Sequence, residues 1–234
     1  MKYLRMLQLL LAALVWCPVA GYAQNLVGTI GGTSVNLVAP SGYCVTNPAN
    51  SADRAFVNYL SKLLENSKNK LIRVVIDCGE LQARRADGAK PIYDYVTFYF
   101  PVAGENNTLN GDTQANRKAL CDELRQQTDA ALTDVPQIVE KTAREMKTNA
   151  SVSNTKYLGV LDADPHGCYG GLLVSVAGGK GNVTVIYVIV VRTVMHGKDL
   201  WLGVYSKYGS AADSNKSLQL AKTMAAALDA KNPE

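Results

Sequence analysis

Histidine occurs twice in the 234-residue chain, phenylalanine three times and tryptophan twice, and no charge of one sign dominates. Only His166 and His196 are available as imidazole bases or ligands, and both fall in expected turns. There is no Gly-x-Ser-x-Gly elbow, no His-Glu-x-x-His, no phosphate loop and no dinucleotide fingerprint, so the common enzyme classes leave no trace. No catalytic residue, cofactor or metal is therefore expected. Acids and bases are interspersed at a formal net charge of +4, which gives no footprint for nucleic acid or anionic lipid. Beyond the N-terminus no apolar run reaches the roughly 20 residues that a membrane span needs. The nearest, Val183 to Val194, carries Tyr187, Arg192 and many β-branched residues, which argue for a strand. Internal repeats and low-complexity tracts are absent.

What is present begins with the three parts of a secretory signal. Lys2 and Arg5 supply the positive region, and Leu7 to Val15 is an apolar run broken only by Gln8. Gly21-Tyr22-Ala23 then places small residues where a signal peptidase reads, so residues 1–23 are expected to be removed between Ala23 and Gln24. Lipoprotein processing at Cys17 is disfavoured, because bulky Trp16 stands where a small residue is needed. Cleavage takes away Lys2 and Arg5 and no acid, lowering the formal charge from +4 to +2. A periplasmic or secreted location follows as the expectation, with residues 24–234 forming one domain.

Four cysteines remain beyond the leader: Cys44, Cys78, Cys121 and Cys168. An even count in an exported chain implies a disulfide framework, and four cysteines allow three pairings. Cys44–Cys78 and Cys121–Cys168 are favoured, since each joins elements expected to be neighbours. No two cysteines stand two residues apart, so the usual zinc ligand pairs are missing.

Thr33–Val38 and Tyr43–Thr46 are expected as short strands around the Pro40-Ser41-Gly42 turn. Ser51 or Asp53 is expected to cap a helix whose apolar face is Phe56, Leu60, Leu63 and Leu64, ending over Asn66 to Lys70. Leu71–Cys78 is a β-branched run and is expected as a buried strand. Arg84 to Lys90 is expected as a polar stretch with an Asp87-Gly88 turn. Pro91 then opens a long strand, with Val96, Phe98 and Phe100 on one side and Tyr93, Tyr95 and Tyr99 on the other. After a polar loop from Gly104 to Asp112, a helix is expected over Thr113–Leu132. A second follows, capped by Asp134 with Pro136 in its first turn and Ile138, Val139 and Met146 inward. Tyr157 to Tyr208 is expected as four strands with turns at 164–167, 178–181 and 196–199, and Ser217–Ala230 as a closing helix. The order implies an α+β fold, an antiparallel sheet packed against helices as an α/β/α-type sandwich with two disulfides.

This arrangement resembles the PsbP-like fold, including exported lipoproteins of that kind. Pro40-Ser41-Gly42-Tyr43 matches the "P-x-G-[YF]" turn of that family's opening hairpin. His196-Gly197-Lys198-Asp199-Leu200 matches the "x-G-K-x-hydrophobic" turn before its last strand, here Trp201 to Tyr208, and terminal helix. The likeness is topological and covers most of the chain beyond the leader. It implies binding or assembly rather than catalysis, since members of that family are mostly non-catalytic. The four cysteines are not part of its general pattern.

Three features are candidate sites. Asp162, Asp164, His166 and Gly167 place alternating oxygen ligands before a glycine, as a calcium loop opens, but Leu173 stands where a bidentate Glu is needed. A solvated turn is the plainer reading. His166 also lies two residues before Cys168, a nucleophilic pair only if that thiol is free. Tyrosine occurs 12 times, and Tyr93, Tyr95 and Tyr99 are expected to share a sheet face, with Tyr187, Tyr205 and Tyr208 along the meander. Such rings suit a wet interface, while a half-exposed sheet beneath a helix is the plainer account. Gly178 to Gly181 joins two expected strands and lacks the helix N-terminus that holds a phosphate. Sequons at Asn106, Asn149, Asn182 and Asn215 matter only in a host that glycosylates. The leading expectation is an exported, non-catalytic binding or assembly factor of the cell envelope or periplasm, with an envelope or secreted protein as partner. The alternatives are a small-molecule or metal-binding module using residues 162–167, and a hydrolase with an unrecognised site.

Overall fold

The computed structural model describes residues 26–127, 132–177 and 182–233. The expected leader with its cleavage point, and the turn expected at 178–181, lie outside the described residues. Two short strands, β1 (Leu26–Ile30) and β2 (Thr33–Leu37), form a hairpin of their own. Then follow β3 (Tyr43–Val45), α1 (Ser51–Asn66), β4 (Asn69–Asp77), α2 (Cys78–Ala86), β5 (Tyr95–Pro101), α3 (Thr113–Arg125) and α4 (Val135–Glu145). The meander β6 (Ser151–Asp164), β7 (Gly167–Ala177), β8 (Val183–Met195), β9 (Lys198–Lys207) and the helix α5 (Ala211–Lys231) complete the chain. Seven strands make one antiparallel sheet in the order β3-β4-β5-β9-β8-β7-β6.

The expected α+β class, the antiparallel sheet on helices and both disulfides, Cys44–Cys78 and Cys121–Cys168, are all present. Val96, Phe98 and Phe100 of β5 face the main core with Ile189, Val191, Leu202 and Val204, beneath the β1–β2 hairpin and Met224, Ala225 and Leu228 of α5. On the other face α1 covers β4 and β5 through Leu60, Val74 and Ile76. There α3 lies over β6–β8 by way of Cys121, Leu124 and Cys168. Period-two alternation sends neighbouring residues to opposite layers: Tyr169 enters the main core while Cys168 bonds to α3. Loops of 34 and 47 residues are closed by the two disulfides. In the chain-entropy picture each contributes about 3–4 kcal/mol.

Several expectations are corrected. The α1 cap is Asn50, whose side chain accepts from Ala52 N and Asp53 N; neither Ser51 nor Asp53 caps it. Asp53 is instead fully buried and bound to Arg85. Cys78 does not end a strand but starts α2, capped by Asp77, whose carboxylate accepts from Gly79 N and Glu80 N. Leu81 is the buried residue of that helix, so it had almost no apolar period to show. The strand expected from Pro91 begins at Tyr95, because the Glu80 carboxylate takes the N–H groups of Tyr93 and Asp94 at 2.7 and 2.9 Å. The strand β1 was not expected at all; Gly31 and Gly32, at φ of +52° and +84°, make its hairpin turn. The expected 113–132 helix ends at Arg125, and part of the remainder lies outside the described residues. Tyr187 and Tyr205 lie on opposite faces of the sheet, so they do not line one surface.

Candidate functional site

At one end of the meander the sheet turns through Pro165-His166 between β6 and β7, and three distant residues converge on it. Arg117 of α3 donates from Nη1 to Pro165 O at 2.6 Å and from Nη2 to Val194 O at 3.1 Å. Its Nη2 also pairs with Asp229 Oδ1 of α5. Asp229 Oδ2 lies 2.9 Å from His166 Nδ1. Seven residues earlier on α5, and so on the same helical face, Lys222 Nζ sits 2.7 Å from Asp162 Oδ2 and 3.8 Å from Asp164 Oδ2. Asp164 closes the turn on itself: its Oδ1 accepts from His166 N at 2.9 Å, Gly167 N at 3.2 Å and Tyr169 Oη at 2.9 Å.

The charges hold one another in fixed states. Burial opposes ionisation of Asp229, but hydrogen bonds from Arg117 and His166 outweigh it and hold the carboxyl below its ordinary pKa. Lys222 likewise lowers the pKa of Asp162, and its own is raised in return. Burial, with the Asp164 carboxylate alongside, pushes the Tyr169 phenol far up. Two open cavities of about 320 and 250 Å³ flank Arg117. The larger is bounded by Gln114, Arg117, Lys118 and Arg125 of α3 and by Asp164 and Pro165. In the smaller, Asp112, Gln114 and Arg117 face Asp229 and Asn232.

Of the six expected site residues, Asp162, Asp164 and His166 are brought together here. Tyr95 and Tyr99 are not among them, being on β5 with β9 and β8 between them and β7. The Tyr95 ring stacks on Tyr205 at 4.3 Å and meets the edge of Phe56 at 5.2 Å. Tyr99, 6% exposed, leans on Trp201, over which the Arg192 guanidinium stands at 4.5 Å. Burial raises the pKa of both phenols well above the usual value. Tyr93 precedes the strand, with Lys207 Nζ 5.8 Å from its ring centre. The half-buried Tyr95 ring thus packs against Phe56 of α1, and Tyr99 is buried beside Trp201.

Cys168 is bonded to Cys121, so it presents no thiol to His166. Among the described residues no group of three or more His, Cys, Asp or Glu side chains is placed to hold a metal ion. Asp162 and Asp164 are turned instead toward Lys222 and the turn's own amides. No described helix is long and apolar enough to cross a membrane. Arg117, Lys222 and Asp229 carry no sequence signature of the site, lying 48 to 63 positions from their turn partners. One signal was available: Arg117 falls on the same helical stripe as Leu120, Cys121 and Leu124, where a charge demands a buried partner.

Fold and site together define an α+β sandwich with a charge-latched turn beside two small clefts. No protein-family model matches the chain, and no curated protein sequence and no solved structure matches it significantly.

Proposed function

We propose that this is an exported, non-catalytic binding or assembly factor of the cell envelope, working in the periplasm or outside the cell, and that it binds through the turn end of the sheet. The observation that carries this reading is the convergence of Arg117, Asp162, Asp164, His166, Lys222 and Asp229 beside two open cavities. Each charge is held by another, so the surface is formed before any partner arrives, which lowers the ordering cost of binding. Export is supported by the leader-like residues 1–23 and by two disulfides, which persist in oxidising compartments. The PsbP-like resemblance supports binding over catalysis.

The partner is a protein, docking on the turn and the adjoining end of α3. Strand addition is a poorer route, because both sheet edges are blunted. The β3 edge is three residues long, and the β6 edge carries register shifts near residues 153, 158 and 161. Chemical cross-linking in envelope extract, with wild type and a Lys222→Glu variant as baits, tests the proposal. Lys222→Glu repels Asp162 and Asp164 and unhooks the turn. A specific partner captured by wild type and lost by the variant at unchanged thermal stability is the expected result. Capture of the same set by both baits, or of nothing, refutes it.

A second reading is hydrolysis, favoured by one observation. The 2.9 Å contact from Asp229 Oδ2 to His166 Nδ1 orients an imidazole as a general base requires. An esterase and amidase screen in which His166→Ala retains all activity removes it.

A further inference from the structure

We propose that the larger cavity beside Arg117 is a subsite for one anionic group, a carboxylate or a phosphate, carried by a small ligand; this rests on the reading of the turn end as a binding surface. The argument is one of hydrogen-bonding capacity. The wall supplied by the turn has its acceptors occupied. Asp164 Oδ1 already takes His166 N, Gly167 N and the Tyr169 hydroxyl, and Oδ2 lies 3.0 Å from that hydroxyl. Pro165 O takes Arg117.

The facing wall is made of donors. Gln114, Arg117, Lys118 and Arg125 recur at helical spacing, so they share the side of α3 that lines the cavity. Arg117 is 5% exposed, and its Nε is buried without a hydrogen-bond partner. Its Nη1 and Nη2 are spent on Pro165 O, Val194 O and Asp229, so Arg117 braces this wall, and the donors open to a ligand are those of Gln114, Lys118 and Arg125. Lys118 and Arg125 both meet Asp122, at 2.9 and 2.7 Å. All three of those side chains are well exposed, at 77%, 51% and 43%, and ion pairs so open contribute little. The two cations therefore exchange Asp122 for ligand oxygens at small cost. The result is a cleft rich in uncommitted donors, with positive charge on one wall and its one acid already occupied. Its volume of about 320 Å³ is at the low end for small-molecule sites, which suits a small acidic ligand or the acidic end of a larger one.

The test is an NMR amide titration of the intact disulfide-bonded protein with inorganic phosphate and, separately, with citrate, at constant ionic strength. Saturable shifts confined to residues 114–125 and 163–167 are expected with at least one anion, and which anion acts distinguishes phosphate from carboxylate. The double variant Lys118→Glu with Arg125→Glu removes two charge-assisted contacts and is expected to bind at least roughly tenfold more weakly. Lys207→Glu with Lys216→Glu makes the same change in net charge elsewhere and is expected to bind as wild type. Absence of saturable shifts with both anions, or equal weakening in both double variants, overturns the subsite. If neither anion binds while the partner is still captured through Lys222, the subsite is wrong and the protein-binding surface stands. If an anion binds while capture fails, the subsite stands and the protein-binding surface is wrong.

Discussion

Replacing Asp53 by Asn probes a charge with no solvent exposure at nearly constant volume. The Asp53 side chain is 0% exposed and accepts three hydrogen bonds: from Arg85 Nε at 2.9 Å, Arg85 Nη2 at 2.6 Å and Asn47 N at 2.7 Å. An Asn in its place keeps one acceptor oxygen and turns an NH2 group toward donors. Two charge-assisted bonds, at about 1.5–3 kcal/mol each, are weakened or lost. Arg85 is 34% exposed and recovers part of its hydration, so a net loss of about 3 kcal/mol is expected. For a domain of this size that corresponds to a Tm lower by roughly 6–12 °C. The pH dependence adds a second check. Burial opposes ionisation of Asp53, yet the bonds from Arg85 and Asn47 and the Arg85 charge hold its pKa below the ordinary value. The folded state then binds the proton less readily than the unfolded one. The contribution is complete above the unfolded carboxylate pKa of about 4, and it disappears as pH falls through the folded value. Calorimetry of wild type and variant from pH 7 to pH 3 measures both effects. A Tm difference under about 2 °C at pH 7, or one that does not shrink in acid, refutes the account.

Other consequences follow from single contacts. A Cβ on Gly203 would lie 2.6 Å from Tyr205 Cε2 and 2.8 Å from Thr97 Oγ1. Gly203→Ala is therefore expected to cost about 1–3 kcal/mol, and to disturb the Tyr95–Tyr205 stack in near-ultraviolet circular dichroism; a silent spectrum contradicts it. Asn232, 4% exposed, pins the β1–β2 hairpin by accepting from Asn36 N and donating to Asn36 O, both at 2.8 Å. Asn232→Ala is expected to cost about 1–2 kcal/mol and to speed hydrogen exchange in residues 26–37 selectively, whereas uniform acceleration across the sheet would contradict a local latch. Asn50→Ala removes the α1 cap and is expected to cost about 1 kcal/mol by denaturant unfolding, with Ser51→Ala near neutral; the reverse order would restore Ser51 as the cap.

The meander was legible because β8 and β9 are rich in β-branched and apolar residues, and because their turn, His196-Gly197, carries its own chemistry. Both turn residues adopt positive φ, +50° and +71°, as a two-residue hairpin requires. The main face of α5 was legible for a similar reason, in the spacing of Met224, Ala225 and Leu228, although the helix starts six residues earlier than expected. What escaped notice depends on polar contacts. The helix α2 rests on Asp77 and Leu81, and the start of β5 is delayed by Glu80, which lies 13 residues before Tyr93. Neither effect has a periodic signature.

The site divides in the same way. Residues Asp162, Asp164 and His166 could be singled out because a tight turn gathers them within five positions. Their partners belong to two helices elsewhere in the chain, and no local pattern announces that Arg117, Lys222 and Asp229 will meet them. The tyrosines show the opposite limit. Their alternation along β5 was readable for Tyr95 and Tyr99, but whether that face meets water or a helix depends on where α1 docks.

By itself the sequence determined the α+β class, the cysteines available as staples and the meander turns at 164–167 and 196–199, because each follows from local chemistry: period, composition and the φ demands of glycine. Only the tertiary structure decided that Tyr95 packs half-buried against α1, that Tyr99 is buried and that a buried arginine organises the turn end. The physical reason is that burial and charge pairing are properties of packed neighbours, which chain order leaves free until the layers close.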